Sequence, residues 1–199
     1  GFLLNHKTVQ RLMRELGLVC RVRIKKYRSY KGEVGKIAPN LLNRDFHAEK
    51  PNLKWVTDVT EFSLFGKKLY LSPILDLHNG YLVTYTISER PVLNMVTSML
   101  NKAFESIPDG TDLILHSDQG WQYQHKQYQQ MLKCKGIQQS MSRKGNCLDN
   151  SAMENFFGTL KAECLYRAHF TTRTEVEQLV TEYVDFYNFE RISLKNGLT

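Results

Sequence analysis

The stretch from Leu113 to Glu163 constrains the fold most, because strand and helix patterns alternate along it and acidic residues stand where they meet. The apolar run 113–115 predicts a buried strand, and Asp118 follows at its carboxyl end. A helix comes next, then a short strand, then a second helix that carries Glu154. Strands and helices in this alternation indicate an α/β fold in which helices cover a sheet.

Further strand patterns precede this stretch, and turn residues separate them. The predicted strands are 53–64, 67–76, 81–87, 112–117 and 137–141. The predicted helices are 6–16, 92–106, 123–134, 150–166 and a last helix that Thr174 caps and that ends near Phe189. We therefore expect a mixed five-stranded sheet flanked by helices, preceded by a short helical basic arm. The expected division is an arm and linker over 1–50 and a core over 51–199.

Two of the acids lie on predicted strands. Asp58 stands in the middle of strand 53–64 among β-branched and aromatic neighbours, where an unpaired buried charge would be costly. We expect a cation beside it, and the alternative is an acid at a strand edge that faces solvent. Asp118 ends its strand, where open α/β sheets tend to bind ligands. An Asp before Gln-Gly is also typical of a simple turn.

The third acid, Glu154, competes with Asp149 and Glu163 for the same role. Residues 154, 158 and 161 share one face of a helix, so Gly158 leaves room beside Glu154 and Lys161 adds a positive charge. A Gly within a helix costs up to about 1 kcal/mol relative to Ala, which indicates that something approaches closely there. Asp149 fits better as a helix cap or a loop acid.

Three acids from two strands and a helix suit hard cations that prefer oxygen ligands. The four cysteines, Cys20, Cys134, Cys147 and Cys164, have no spacing typical of a zinc site or a disulfide framework. No apolar run approaches the roughly 18 residues of a membrane helix. Two divalent ions held by such acids can activate a nucleophile and stabilise the leaving oxygen of a phosphodiester. We therefore predict a metal-dependent phosphoryl-transfer site that acts on DNA.

The positive charge is concentrated at the N-terminus. The net charge is +7, and residues 1–36 alone contain ten Lys and Arg against two acids. Such a patch is typical of a polyanion partner, and the alternative is a solvated basic tail. The helix 6–16 is either the last helix of a helix-turn-helix or a plain amphipathic helix. The expected DNA-binding residues here are Lys7, Arg11, Arg14, Arg21, Arg23, Lys25 and Lys26.

A second polar segment, the loop Ser142–Asp149, precedes the helix that carries Glu154. Because it has hardly an apolar anchor, we expect it to be mobile without DNA and to order when DNA binds. Arg143 and Lys144 in this loop, with Asn150 just after it, are expected DNA contacts.

Three motifs now give a specific resemblance: TDVT, HSDQGWQY and DNSAMENFFGTLKAE, with 35 residues between Asp118 and Glu154. Together they resemble the D-D-E transposase and retroviral integrase superfamily, and more narrowly the second-frame (orfB) transposases of bacterial insertion sequences of the IS-three group. NHKTVQRLMRELGL resembles the end of that family's helix-turn-helix region, and YNFERISLKNGLT its C-terminal motif. The chain departs from the family at Arg191-Ile192-Ser193, where relatives often have Arg-Pro-His.

The resemblance implies a ribonuclease-H-like fold in which Asp58, Asp118 and Glu154 are catalytic metal ligands and Lys161 contacts DNA near the cleavage site. It implies two Mg²⁺ ions, with Mn²⁺ as a substitute, and strand cleavage and strand transfer at the ends of an insertion sequence. The expected partners are DNA at element ends and target, further copies of the chain assembled on DNA, and the first-frame protein of the same element; no membrane is involved.

We expect a location in the bacterial cytoplasm at the nucleoid, and a chain that is a segment of a longer protein. The alternative functions are a catalytically inactive DNA-binding relative and a nuclease of the same fold.

Overall fold

In this computed structural model the described residues are 5–18, 36–64, 67–166 and 172–192. The first helix, α1, spans His6–Glu15, close to the prediction. It begins where the Asn5 side chain accepts a hydrogen bond from the amide of Lys7, and it is followed by Gly17 at φ +67°. None of the described helices is both long and apolar enough to cross a bilayer.

The sheet is mixed, as predicted, but it contains six strands rather than five. The strands are β1 (Lys54–Thr57), β2 (Thr60–Leu64), β3 (Lys67–Asp76), β4 (Leu82–Ser88), β5 (Ile114–Ser117) and β6 (Gln138–Met141). The extra strand arises because predicted strand 53–64 breaks at Asp58 and Val59, where the Asp58 carboxylate accepts a hydrogen bond of 2.7 Å from the Val59 amide. The predicted Phe65-Gly66 turn lies outside the described residues.

The strand order places the first two acids side by side. β3 pairs antiparallel with β1, β2 and β4, whereas β1–β5 and β5–β6 are parallel pairs. In the β1–β5 register Lys54 lies opposite Ile114 and Val56 lies opposite His116. Continuing that register by two residues brings Asp58 opposite Asp118, at the carboxyl ends of both strands.

Helices cover both faces of this sheet. They are α2 (Leu93–Phe104), α3 (Trp121–Gln124), α4 (Lys126–Lys135), α5 (Ser151–Leu160) and α6 (Arg173–Phe189). A 3₁₀ helix, Cys147–Asn150, leads into α5, and a π-helical turn, Lys161–Leu165, follows it. One hydrophobic core lies between the sheet and helices α5 and α6, and the other between the sheet and helices α2 and α4.

Two predicted helix boundaries are wrong. The predicted helix 123–134 is divided at His125, whose backbone is extended and whose ring accepts a hydrogen bond from the Gln127 amide. The last helix is capped by Thr172 instead of Thr174. Thr172 and Glu175 form a reciprocal capping box, in which each side chain accepts a hydrogen bond from the other residue's amide.

The described part of the predicted linker, residues 36–50, packs on the core without forming a helix or strand. Leu42 and Ala48 are buried in the core beneath α5 and α6. The amide of Leu41 donates a hydrogen bond of 2.9 Å to the Ser140 hydroxyl, at the end of β6. This segment therefore packs on the sheet edge that carries β6 and on the core beneath α5 and α6.

Candidate active site

Asp58 and Asp118 form the centre of the site. Burial of the Asp58 carboxyl raises its pKa well above its usual range, and the negative charges of Asp118 and Glu154 raise it further. Burial likewise raises the pKa of Asp118. Both acids therefore disfavour their charged forms in this structure, as expected for carboxylates that need a cation to balance them.

The backbone after β5 wraps closely around Asp118. The Gly120 amide donates a hydrogen bond of 2.8 Å to Asp118 Oδ1, so the turn geometry expected as an alternative is present as well. A Cβ atom at Gly120 would lie 2.9 Å from that same oxygen. Glycine is therefore needed for the amide to approach the carboxylate, and the turn holds the carboxylate in place.

Glu154 lies on α5 and is exposed to solvent. Its charge acts on Asp58, and partial burial raises its own pKa. Across the described ranges, no three Asp, Glu, His or Cys side chains are grouped tightly enough to form a closed metal site. Glu154 is thus near the two aspartates, with its side chain directed more to solvent than theirs.

The two competitors of Glu154 are both engaged by cations. Asp149 is fully buried and accepts hydrogen bonds from Arg143 and Arg44. Glu163 accepts hydrogen bonds of 2.8 and 2.9 Å from Arg191. Since their charges are balanced within the protein, neither is available to a further cation. Of the three candidates, Glu154 is the one whose charge acts on Asp58.

Lys161 reaches the site from the end of α5. Its ammonium group donates a hydrogen bond of 2.6 Å to the Thr60 hydroxyl, just past the break between β1 and β2, and its charge lowers the pKa of Asp58. Gly158, on the same face, is exposed, and no described atom lies within 4 Å of where its Cβ would be. We expected another group to lie close to Gly158, but none of the described residues does, and the surface beside Glu154 is open.

Comparison with known proteins identifies the family. Two models described as "Integrase core domain" match residues 48–147 and 154–199, and one described as "HTH-like domain" matches residues 1–26. The putative transposase InsK of insertion sequence element IS150 from Escherichia coli K12 is 58% identical over 200 residues, which cover 100% of this chain and 71% of that protein. The chain belongs to the insertion-sequence transposases.

Two further likenesses agree with this family. The transposase InsF of insertion sequence IS3A, from the same organism, is 33% identical and is matched by 100% of this chain over 70% of its own length. The resemblance to the IS3 group is therefore confirmed. A chain of the simian T-cell lymphotropic virus intasome superposes with a TM-score of 0.63 at 18% identity, over 91% of this chain and 62% of that one. This confirms the integrase-like fold.

A buried histidine of the transposase was not anticipated as part of the site. His116, on β5, has its ring nitrogens 2.7 Å from the Ser140 hydroxyl and 3.0 Å from the Ser142 hydroxyl. Burial lowers its pKa from 6.5 to about 4, so the ring is neutral. The histidine is visible in the sequence as the first residue of the motif HSD. Its partners, Ser140 and Ser142, lie in β6 and the following loop, so local sequence patterns do not reveal the contact. His116 thereby fixes the loop end beside Asp118.

We predict a pH signature for this histidine. Because the pKa of His116 is about 4 in the folded protein and 6.5 in the unfolded chain, the unfolded chain is protonated at a higher pH than the folded protein. The stability that His116 contributes is therefore present above pH 6.5 and is lost as the pH falls toward 4. The difference in unfolding free energy between wild type and His116→Gln should therefore shrink as the pH falls through this window. Chemical denaturation at several pH values measures it, and a constant difference would contradict a neutral buried His116.

The expected DNA contacts of the transposase are distributed unevenly. Lys7, Arg11, Arg14 and Lys144 are exposed, and Arg143 is 56% exposed although it pairs with Asp149. Arg21, Arg23, Lys25 and Lys26 lie outside the described residues.

Asn150 is 3% exposed, and its amide group donates to the backbone oxygen of Thr57 at 3.4 Å. This burial argues against a DNA contact by Asn150. The loop Ser142–Asp149 was expected to lack anchors, yet its two ends are tied together by Arg143 and Asp149.

Proposed function

We propose that this transposase cleaves DNA strands at the ends of an insertion sequence and joins the freed 3′ end to target DNA. The observation that carries the proposal is the pair of carboxylates, Asp58 and Asp118, at the carboxyl ends of adjacent parallel strands with raised pKa values. Glu154 supplies the third carboxylate. Perturbed, converging carboxylates of this kind are typical of sites that bind and use charge.

The donor set fits divalent ions that prefer oxygen, namely two Mg²⁺ ions with Mn²⁺ as a substitute. Asp58, Asp118 and Glu154 would hold them, because the charges of Asp118 and Glu154 act on Asp58 and the one positive charge that acts on it is that of Lys161. When bound, such ions supply activation of the attacking oxygen and stabilisation of the leaving one. The protein itself orients the carboxylates through the Gly120 and Val59 amides.

The proposed partners are DNA at the element ends and the target, further copies of this chain assembled on the DNA, and the first-frame protein of the element. The exposed basic residues of α1 support DNA binding by the arm. We propose an arm over 1–50 and a core over 51–199, and the packing of 36–50 on the sheet favours counting that segment with the core. The proposed location is the bacterial cytoplasm, at the nucleoid.

The deciding experiment uses a plasmid that carries the element's two ends, with Mg²⁺ or Mn²⁺. We expect nicking at the element ends and products in which element DNA is joined to target DNA. Binding without nicking would indicate a catalytically inactive DNA-binding relative. Nicking without joined products under any target concentration would indicate a nuclease of the same fold.

Lys161→Ala should slow strand cleavage while leaving DNA affinity nearly unchanged. The ammonium group lies beside Thr60 and acts on Asp58, so it is placed to orient a phosphate next to the carboxylates. Its loss removes at most one phosphate contact, which changes the slope of log affinity against log salt concentration by about 0.9. Nicking rates and binding titrations on one preparation separate the two effects. Equal losses in binding and cleavage would show that Lys161 only anchors DNA.

A further inference from the structure

The buried carboxylate of Asp149 ties together three segments of the chain. Its two oxygens accept hydrogen bonds from the Arg143 amide (3.0 Å), Arg143 Nε (2.8 Å) and Arg143 Nη2 (2.8 Å). They also accept from Arg44 Nε at 2.9 Å and from Asn40 Nδ2 at 3.1 Å. Arg44 and Asn40 belong to the segment that connects the arm to the core, and Arg143 belongs to the loop after β6. We call this arrangement the Asp149 clamp.

The clamp is strongly held because its charges balance inside the protein. Hydrogen bonds from Arg143 keep the pKa of Asp149 well below its usual range, so the acid is ionised at neutral pH. Asp149 is 0% exposed, and removing one partner of a buried charge pair leaves the other without compensation. A bidentate arginine also fixes direction as well as distance, because its two donors are coplanar.

What the clamp holds is the entrance to helix α5. The 3₁₀ helix Cys147–Asn150 leads directly into α5, and no side chain caps the first turn of α5. The entrance is instead fixed by Asp149 and by Asn150, whose amide donates to the backbone oxygen of Thr57, next to Asp58. The buried face of α5, Met153, Phe156, Phe157 and Leu160, packs in the core, whereas the position of its first turn, which carries Glu154, depends on Asp149 and Asn150.

We propose that Asp149 is a positioning residue for Glu154. Its carboxylate is buried and is bound by Arg143, Arg44 and Asn40, and it acts by fixing the start of α5, five residues before Glu154. Because this role rests on the proposed function of Glu154, its test includes one readout of geometry that does not require cleavage. Asn40 and Arg44 are part of the same clamp, so the segment 40–44 and the start of α5 are held together.

A matched control exists near the start of β1. Asp76 is also a buried acid, and it accepts hydrogen bonds from the Asn52 amide, the His78 amide and the Trp55 indole. It lies opposite Trp55 near the start of β1, whereas Asp58 follows the end of β1. Asp76→Asn should therefore reduce stability without moving Glu154.

The experiment compares the wild-type chain with the variants Asp149→Asn and Asp76→Asn. Misplacing a catalytic group by about 1 Å can cost about 100-fold in rate, so Asp149→Asn should lower kcat for plasmid nicking by about that factor while the KM for DNA stays the same. Amide hydrogen exchange over 151–155 should lose protection, and the rise in Tm on adding Mn²⁺ alone should shrink. Asp76→Asn should keep kcat, exchange protection in α5 and the Mn²⁺ response, although its Tm falls.

Other outcomes separate the two proposals. Unchanged kcat and unchanged α5 protection in Asp149→Asn would overturn the positioning role, and so would equal losses in both variants. A wild type that never nicks DNA would overturn the proposed function, and α5 exchange would then decide alone whether Asp149 sets the helix. If Asp149→Asn does not fold, the variant Arg143→Lys takes its place. Lysine keeps the positive charge but cannot form the paired hydrogen bonds of the guanidinium group, so this variant should lower kcat by a smaller factor.

Discussion

Asp58→Asn is expected to abolish detectable strand cleavage while raising the stability of the protein in the absence of metal. The amide keeps the shape of the side chain but removes the charge that would hold a cation. Loss of one preorganised electrostatic group typically costs roughly 10²–10³-fold in rate, and loss of a carboxylate that would hold an ion should cost at least that. Asp118→Asn and Glu154→Gln should behave alike, measured as nicking of the element-end plasmid in Mg²⁺.

The gain in stability follows from the sign of the pKa shift. Since burial and two neighbouring acids raise the pKa of Asp58, its charged form is disfavoured in the folded protein at neutral pH, and replacing it relieves that cost. A gain of about 1 kcal/mol would raise Tm by about 2–4 °C in a protein of this size. The effect should be largest for Asp58 and smallest for exposed Glu154.

A surface acid provides the control for this series. Asp45 pairs with Lys54 at 2.7 Å, and its side chain is 66% exposed. Asp45→Asn should leave both cleavage and metal-free stability nearly unchanged, because exposed ion pairs contribute little. A triad variant that nicks DNA at the wild-type rate would remove that residue from the ligand set. If that variant is Glu154→Gln, Asp149 and Glu163 become the next candidates for the third ligand, despite their ion pairs with arginine.

Much of this site could be predicted from sequence because the signals were local. Asp118 directly follows the apolar run that forms β5, and Asp58 lies in the predicted strand that contains β1; parallel pairing of β1 and β5 brings the two residues together. The spacing from Glu154 to Lys161 likewise placed the lysine on the site-facing side of α5. The start of the last helix is ambiguous in sequence, because Thr172 with Glu175 and Thr174 with Glu177 both have the spacing of a capping box, and the structure uses the first pair.

The remainder depended on contacts between distant segments. The hydrogen bonds of Asp149 to Arg44 span 105 residues, and those of His116 to Ser140 and Ser142 cross from one strand to the next. Local patterns showed Asp149 as a loop acid and the loop 142–149 as unanchored, because the anchoring partners lie far away in sequence. The break at Asp58 is similar, since alternation alone predicts one continuous strand.

Deleting residues 1–35 is expected to weaken DNA binding strongly and to flatten its dependence on salt. Nine of the 27 Lys and Arg lie in this segment against two acids, so the remaining chain has equal numbers of basic and acidic residues, 18 each. Counterion release gives a slope of about −0.9 per phosphate contact, and a protein that makes six or more contacts loses about 10³-fold in affinity between 50 and 200 mM salt. The deletion should lose most of that slope.

The cut after residue 35 preserves the core. Gln129 donates a hydrogen bond of 2.8 Å to the backbone oxygen of Lys36, and the segment that follows is packed against β6 and the core beneath α5. Unchanged thermal unfolding of the truncated protein would verify this. A control for charge alone is the double variant Lys126→Ala, Lys133→Ala, because both lysines are exposed on α4.

The outcome assigns DNA binding to the arm or to the core. If the arm holds the phosphates, the deletion flattens the slope and the α4 variant leaves it unchanged, because α4 covers the opposite face of the sheet from α5 and Glu154. Nicking by the truncated protein should then fall at low DNA concentration and recover at high concentration, since the carboxylates are intact. A truncated protein that keeps the full salt slope would place the DNA-binding surface on the core instead. The exposed Arg143 and Lys144 would then be the first residues to replace.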